Sequence, residues 1–176
     1  MRKTIKVLAG AFLVASFLMA GEQSLAKQNT VAPQAMTAAH NQWRAKLGIP
    51  SLRWSDQLAH AAQKWADQLA RTSCRPMQSR SGYGENLYWA SPIISSNGTR
   101  RLQNLSEQDV VAIWTEEAHS YNYANNSCRG RCGNYTQIIW KDTQEVGCGM
   151  AVCRDKAQIW VCNYSPPGNV IGRKPY

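Results

Sequence analysis

The sequence predicts an α+β domain stapled by disulfides. Three observations predict it: apolar residues recur at helical spacing in the first two thirds, a strand–turn–strand pattern fills the last third, and six cysteines lie in a chain of 176 residues. That length suits one domain rather than two.

The N-terminus is read as an export signal. Arg2, Lys3 and Lys6 precede an apolar run from Val7 to Ala20, and Ser24-Leu25-Ala26 supplies a small-x-small cleavage site. The run is short of the roughly 20 residues that span a bilayer, so residues 1–26 are expected to be removed rather than kept as an anchor. No cysteine follows the run, which argues against a lipoprotein. Residues 27–33 are polar, end at Pro33 and are expected to be a flexible lead-in. Residues 34–176 then form a single domain outside the cell, or in the periplasm of a bacterium with an outer membrane. No transmembrane segment is expected.

The first helix is expected from about Gln34 to Leu47, with Ala35, Ala38, Ala39 and Trp43 on its apolar face and Gly48 and Pro50 stopping it. A second helix follows Ser55, an N-cap candidate, with Asp56 in its first turn. Its stripe is Leu58, Ala61, Ala62, Trp65, Ala66 and Leu69. Residues 74–105 are rich in Ser, Gly, Pro and Arg and read as loop, with Leu87-Tyr88-Trp89 a buried exception. A third helix starts at Ser106, where Asp109 takes the place of the usual Glu of a capping box. Val110, Ile113 and Trp114 point to the core, and Tyr121 continues that face.

Val146 to Cys153 and Gln158 to Tyr164 flank the turn Arg154-Asp155-Lys156-Ala157 and read as a hairpin. A turn centred between Asp155 and Lys156 brings Cys148 opposite Cys162 within one residue of register. Cys153 lies an odd number of positions from Cys148, so it projects from the other face toward a more distant partner. Cys74 remains once Cys128 and Cys132 close their small loop. An even cysteine count behind an export signal favours disulfides over a metal cage, since Cys128-x-x-x-Cys132 has no second pair to complete one.

Several function classes drop out on composition. The net charge of +9 falls to about +7 once residues 1–26 are removed, and the basic residues are dispersed. No basic stripe interleaved with aromatics is present, so nucleic acid is not an expected partner. Attraction to anionic cell-wall or cell-surface polymers fits the charge better. The seven tryptophans fall largely on core stripes.

Four motifs and a C-terminal pair occur in order: His40-Asn41-x-x-Arg44, Leu52-x-Trp54, Tyr83-Gly84-Glu85-Asn86-Leu87, Trp114-x-x-Glu117, and then Gly133-Asn134-Tyr135-Thr136-Gln137-Ile138-Ile139-Trp140 with Cys162-Asn163-Tyr164-Ser165-Pro166-Pro167-Gly168-Asn169. Over residues 35–170 the chain resembles the CAP superfamily of cysteine-rich secretory, antigen-five and plant pathogenesis-related proteins. The resemblance implies an α-β-α sandwich with a central antiparallel sheet. It also implies the disulfides 74–153, 128–132 and 148–162, the same pairing that the hairpin register suggests.

Many family members line a cleft with two glutamates and two histidines. The glutamates map onto Glu85 and Glu117. One histidine maps onto Asn134, and Ser79 is taken as the match for the other, so both imidazoles are absent. Zinc affinity at neutral pH rests largely on such donors. The expected cleft is therefore Glu85, Glu117, Asn134 and Ser79, with no cofactor and no tight zinc; at most a hard cation is held weakly between the acids. Two carboxylates sharing a cleft should raise one apparent pKa, or one should be hydrogen-bonded to Asn134 or Ser79. His40 is read as structural, His60 as solvated and His119 as pointing away from the cleft. No catalytic residues are assigned, because Ser79 lacks an imidazole base. The leading function is a secreted, non-catalytic binding protein holding a lipid or sterol, a peptide or a partner protein, linked to defence by the resemblance. The alternative is a metal-assisted hydrolase or protease using Glu85 and Glu117.

Overall fold

The computed structural model describes residues 30–176. The expected export signal, and the lead-in before residue 30, lie outside the described residues. The chain forms α1 (Pro33–Lys46), β1 (Arg53–Trp54), α2 (Asp56–Arg71), β2 (Gly84–Ala90), β3 (Ile93–Ile94), β4 (Arg100–Arg101) and α3 (Glu107–Thr115). A 3₁₀ turn (Glu116–Ser120), β5 (Tyr121–Asn122), β6 (Ser127–Cys128), α4 (Gly133–Ile138), β7 (Glu145–Val152) and β8 (Gln158–Ser165) complete it.

The last part of the lead-in is tied down. Ala32 N donates to Glu107 Oε1 at 2.7 Å, joining the start of α1 to the start of α3. Pro33 is the first helical residue, where its missing N–H costs nothing. The buried face of α1 is Met36, Ala39, His40 and Arg44, while Ala35 and Ala38 are exposed. Two polar residues on the buried face shift the stripe from the one that the alanines suggest. Arg44 is fully buried and donates to the carbonyls of Pro50, Ile138, Trp140 and Thr143 at 2.6–3.0 Å, which ties the chain after α4 to α1.

The caps of α2 and α3 follow the sequence reading. Ser55 accepts from Leu58 N, and Ser106 and Asp109 form a reciprocal capping box. Helix α2 buries Leu58, Ala62, Ala66 and Leu69.

The main sheet has the order β1-β7-β8-β2. It is antiparallel through β7, β8 and β2, as expected, and the two-residue β1 adds to its edge parallel to β7. Alternation along the hairpin divides the core. Val146, Cys148, Met150, Trp160, Cys162 and Tyr164 pack with α1, α3 and α4. Ala151, Cys153, Ile159 and Val161 pack with α2 on the other face. The layering is thus α-β-α. Strand β2 is longer than the three-residue exception expected in the loop region, because seven residues pair with β8.

Helix α2 approaches the sheet without intervening side chains. A Cβ on Gly147 would lie 2.2 Å from Ala59 N, and one on Gly149 would lie 2.4 Å from Gln63 Cα. From this close position Gln63 reaches the edge of β7 beyond β1: its Nε2 donates to Met150 O at 2.8 Å, and its Oε1 accepts from Met150 N at 3.2 Å.

The three disulfides are Cys74–Cys153, Cys128–Cys132 and Cys148–Cys162. Cys148 and Cys162 are direct cross-strand partners.

Candidate functional site: a polar cleft with two clamped glutamates

Glu85 stands near the start of β2, Glu117 in the 3₁₀ turn after α3, and Asn134 in the first turn of α4. All three line one cavity of about 570 Å³, with Gln78, Arg131 and Arg173 on the same wall. The C-terminal segment from Asn169 to Pro175 forms part of that wall. It is held by Asn169, whose Oδ1 accepts from Thr136 Oγ1 at 2.6 Å and whose Nδ2 donates to Gly133 O at 2.9 Å. Lys141 N→Pro175 O at 2.7 Å and the Arg173–Asp142 ion pair at 2.7 Å secure its far end.

Ser79 does not line this cavity. It sits behind Glu85, donating from its backbone N–H to Oε1 at 2.8 Å and from its hydroxyl to Oε2 at 2.6 Å, and it opens onto a different groove. The residue that faces the cleft is Gln78. The signal for it was in the sequence: in the family resemblance that second histidine often follows the first cysteine as Cys-x-x-x-His-Ser, and counted from Cys74 this pattern puts the histidine position at residue 78 and the serine at Ser79. A one-residue offset in an extended loop carries a side chain to the opposite side.

Glu117 is clamped in a second way. The first N–H groups of a helix have no partner within it, and Glu117 supplies one from outside. Its Oε2 accepts from Asn134 N at 2.8 Å and Tyr135 N at 3.2 Å, and its Oε1 accepts from Asn134 Nδ2 at 2.8 Å. A carboxylate at a helix N-terminus also complements the helix dipole. Asn86, next to Glu85, completes the tie: its Nδ2 donates to Asn134 O at 3.0 Å, linking β2 to α4.

Burial raises the Glu85 pKa above its ordinary value, and the two Ser79 hydrogen bonds oppose the rise. The cause is thus desolvation rather than the expected repulsion between the two acids.

The histidines stand apart from the cleft. His40 is fully buried, 2.8 Å from Met36 O through Nδ1 and 2.8 Å from the Tyr164 hydroxyl through Nε2. A carbonyl only accepts, so Nδ1 carries the proton and Nε2 accepts from Tyr164. Burial first, and the nearby Arg44 charge as a smaller cause, lower its pKa to about 4. His60 and His119 are exposed.

As a metal centre the donor set is poor. The cleft offers two carboxylates already engaged by N–H and O–H donors, together with amides and arginines, and no imidazole or thiolate. Among the described residues, the one grouping of three metal-type ligands is Cys74, Cys153 and Asp155, and its two sulfurs are joined as a disulfide.

The fold and site together define a disulfide-stapled α-β-α sandwich with a polar cleft at the end of its sheet. The chain belongs to the cysteine-rich secretory protein (CAP) family, whose sequence profile matches residues 37–164. It is 36% identical over 165 residues to an Arabidopsis thaliana protein named Pathogenesis-related protein 1, covering 94% of this chain and 95% of the relative. A second Arabidopsis thaliana protein of that name is 40% identical over 138 residues, covering 78% of each. Among solved structures, venom allergen-like protein 4 of Schistosoma mansoni superimposes with a TM-score of 0.64 at 25% identity, over 82% of this chain and 92% of that one.

Proposed function

We propose that this chain is a secreted protein of the pathogenesis-related type that acts by holding a polar ligand, a peptide segment of a partner above all, in the cleft between Glu85 and Glu117. Three disulfides suit an oxidising, extracellular setting. No described helix is long and apolar enough to cross a membrane. The names of the relatives support a role in defence against pathogens.

The observation that carries the reading is the state of the two acids. Both carboxylates are engaged by donors from the chain itself, so they serve as clamps that fix the cleft walls. What remains for a ligand is the Gln78 amide and the Arg131 guanidinium, beside Asn134, Thr136 and Arg173, which already bond Glu117, Asn169 and Asp142. Tyr121, Trp140, Val170 and Pro175 line the same cavity, and this mixture of polar and apolar surface suits a peptide segment, which carries both kinds of group. The hydrolase reading needs a carboxylate free to hold a metal or activate water, and nothing in the cleft favours it.

The test pairs calorimetric zinc titration with native mass spectrometry of freshly secreted protein. The expected result is no stoichiometric zinc uptake and a retained polar or peptidic adduct. Tight, one-to-one zinc binding by the native protein would overturn the reading.

A further inference from the structure

On the α2 face of the sheet, separate from the cleft wall, a second groove of about 680 Å³ runs between α2 and the Ser79–Tyr83 loop. Asn163 lines it from β8. Its side chain is only 1% exposed, and its Oδ1 makes no hydrogen bond among the described residues. A buried amide oxygen without a partner is uncommon and is retained at a cost in stability. Its setting at a groove marks a place where an external donor would complete the structure.

The walls indicate what kind of donor. Trp65 and Tyr83 supply aromatic surface, and the Trp65 indole is held by donation to Met77 O at 2.7 Å. The outward stripe of α2 brings His60, Lys64 and Arg71 to the same groove. At 1.5 Å of rise per residue, these positions lie about 6 and 10 Å apart along the axis. The groove thus combines aromatic surface, a buried amide and two cations, Lys64 and Arg71, with the Asp67 carboxylate between them already accepting from Gln63 Nε2 at 2.9 Å.

We propose that this groove binds an acidic oligosaccharide, a short chain of uronic-acid sugars. Aromatic rings cover the C–H faces of the pyranose units, the Asn163 amide accepts from a ring hydroxyl, and Lys64 and Arg71 meet successive carboxylates, Arg71 being suited to a two-point contact. A peptide fits less well. Peptides commonly add to a free sheet edge or fill an apolar groove, whereas β8 has β7 and β2 on its two sides and offers no open edge here.

The test is a ¹H–¹⁵N NMR titration of the secreted protein with α-1,4-linked trigalacturonate, with neutral maltotriose and hexaglutamate as comparators. Expected are saturable shifts of the Asn163 side-chain amide and the Trp65 indole with trigalacturonate. The affinity should fall roughly tenfold in Lys64→Ala/Arg71→Ala and weaken with added salt. Gln78→Ala, on the other cavity, should bind the sugar acid as the native protein does. No saturable shift at Asn163, equal binding of the neutral trimer, or tighter binding of hexaglutamate at the same residues would each overturn the proposal.

Discussion

Glu117 grips Asn134 at two points: its Oε2 receives the Asn134 backbone N–H and its Oε1 the side-chain Nδ2, both at 2.8 Å. The asparagine that stands in a family histidine position is thereby committed to the neighbouring acid, and the acid to the helix that follows.

Removing that acid should loosen α4. Glu117→Ala leaves two backbone N–H groups and one amide without their acceptor. Hydrogen bonds to charged groups are worth about 1.5–3 kcal/mol each when net, and partial exposure lets water replace some of them. A loss of about 2 kcal/mol is expected, read as a lower denaturant midpoint at unchanged m-value. Glu117→Gln should lose less, because one acceptor oxygen remains.

Zinc binding should be restorable at the right pair of positions. Gln78→His/Asn134→His places two imidazoles on the cleft wall with Glu85 and Glu117, and calorimetry should then show one-to-one zinc uptake. Ser79→His/Asn134→His should not match it, since residue 79 opens onto the other groove. Equal zinc affinity in the two double variants would contradict the geometry.

Glu85 should give a small, inverted pH dependence. Burial raises its folded-state pKa above the ordinary 4.5, so between that value and its own pKa the folded state binds more protons than the unfolded. Stability from this group therefore falls as pH rises through a window just above 4.5, then levels off. Glu85→Gln should abolish the slope. Ser79→Ala should raise the pKa further, because the hydroxyl bond to Oε2 opposes the rise; carbon-detected carboxyl titration checks both.

His40 acts in the opposite direction and more strongly. Its folded pKa of about 4 lies below the ordinary value of 6.5, so the unfolded state binds the extra proton between these limits. The stabilisation is full above about pH 6.5 and is lost as pH falls toward 4. The difference amounts to about 3 kcal/mol. His40→Gln should flatten this acid limb in denaturation measured from pH 4 to 7.

The contact between α2 and the sheet should tolerate no added carbon. Gly149→Ala forces a Cβ to within 2.4 Å of Gln63 Cα, a backbone neighbour that cannot swing away. A destabilisation of about 3 kcal/mol is expected from such overpacking, with the thermal midpoint as the readout.

Much of this architecture could be read from local pattern. Helix α2 has an unmixed apolar stripe and a serine cap, and it folds as read. The hairpin register followed from its turn, which placed Cys148 against Cys162. Helix α1 was harder, because His40 and Arg44 are buried through hydrogen bonds to distant groups that no local window contains. Strand β2 was read as three buried residues because its seven-residue pairing depends on β8, more than sixty residues later. Of the residues proposed for the cleft, the structure brings Glu85, Glu117 and Asn134 to one cavity. Ser79 was matched one residue too late: the spacing from Cys74 points to Gln78, which lines the cavity while Ser79 opens onto the other groove. The Asn163 groove left no trace in the sequence beyond its separate residues.

The Gln63 amide, finally, bears on how this protein behaves at high concentration. Strand β1 covers only Glu145 and Val146 at its side of β7, and an uncovered row of backbone donors and acceptors invites a strand from another molecule. By occupying both polar groups of Met150, one glutamine interrupts that template midway. A Gln63→Ala protein could keep its sandwich and still be the one that clumps on storage.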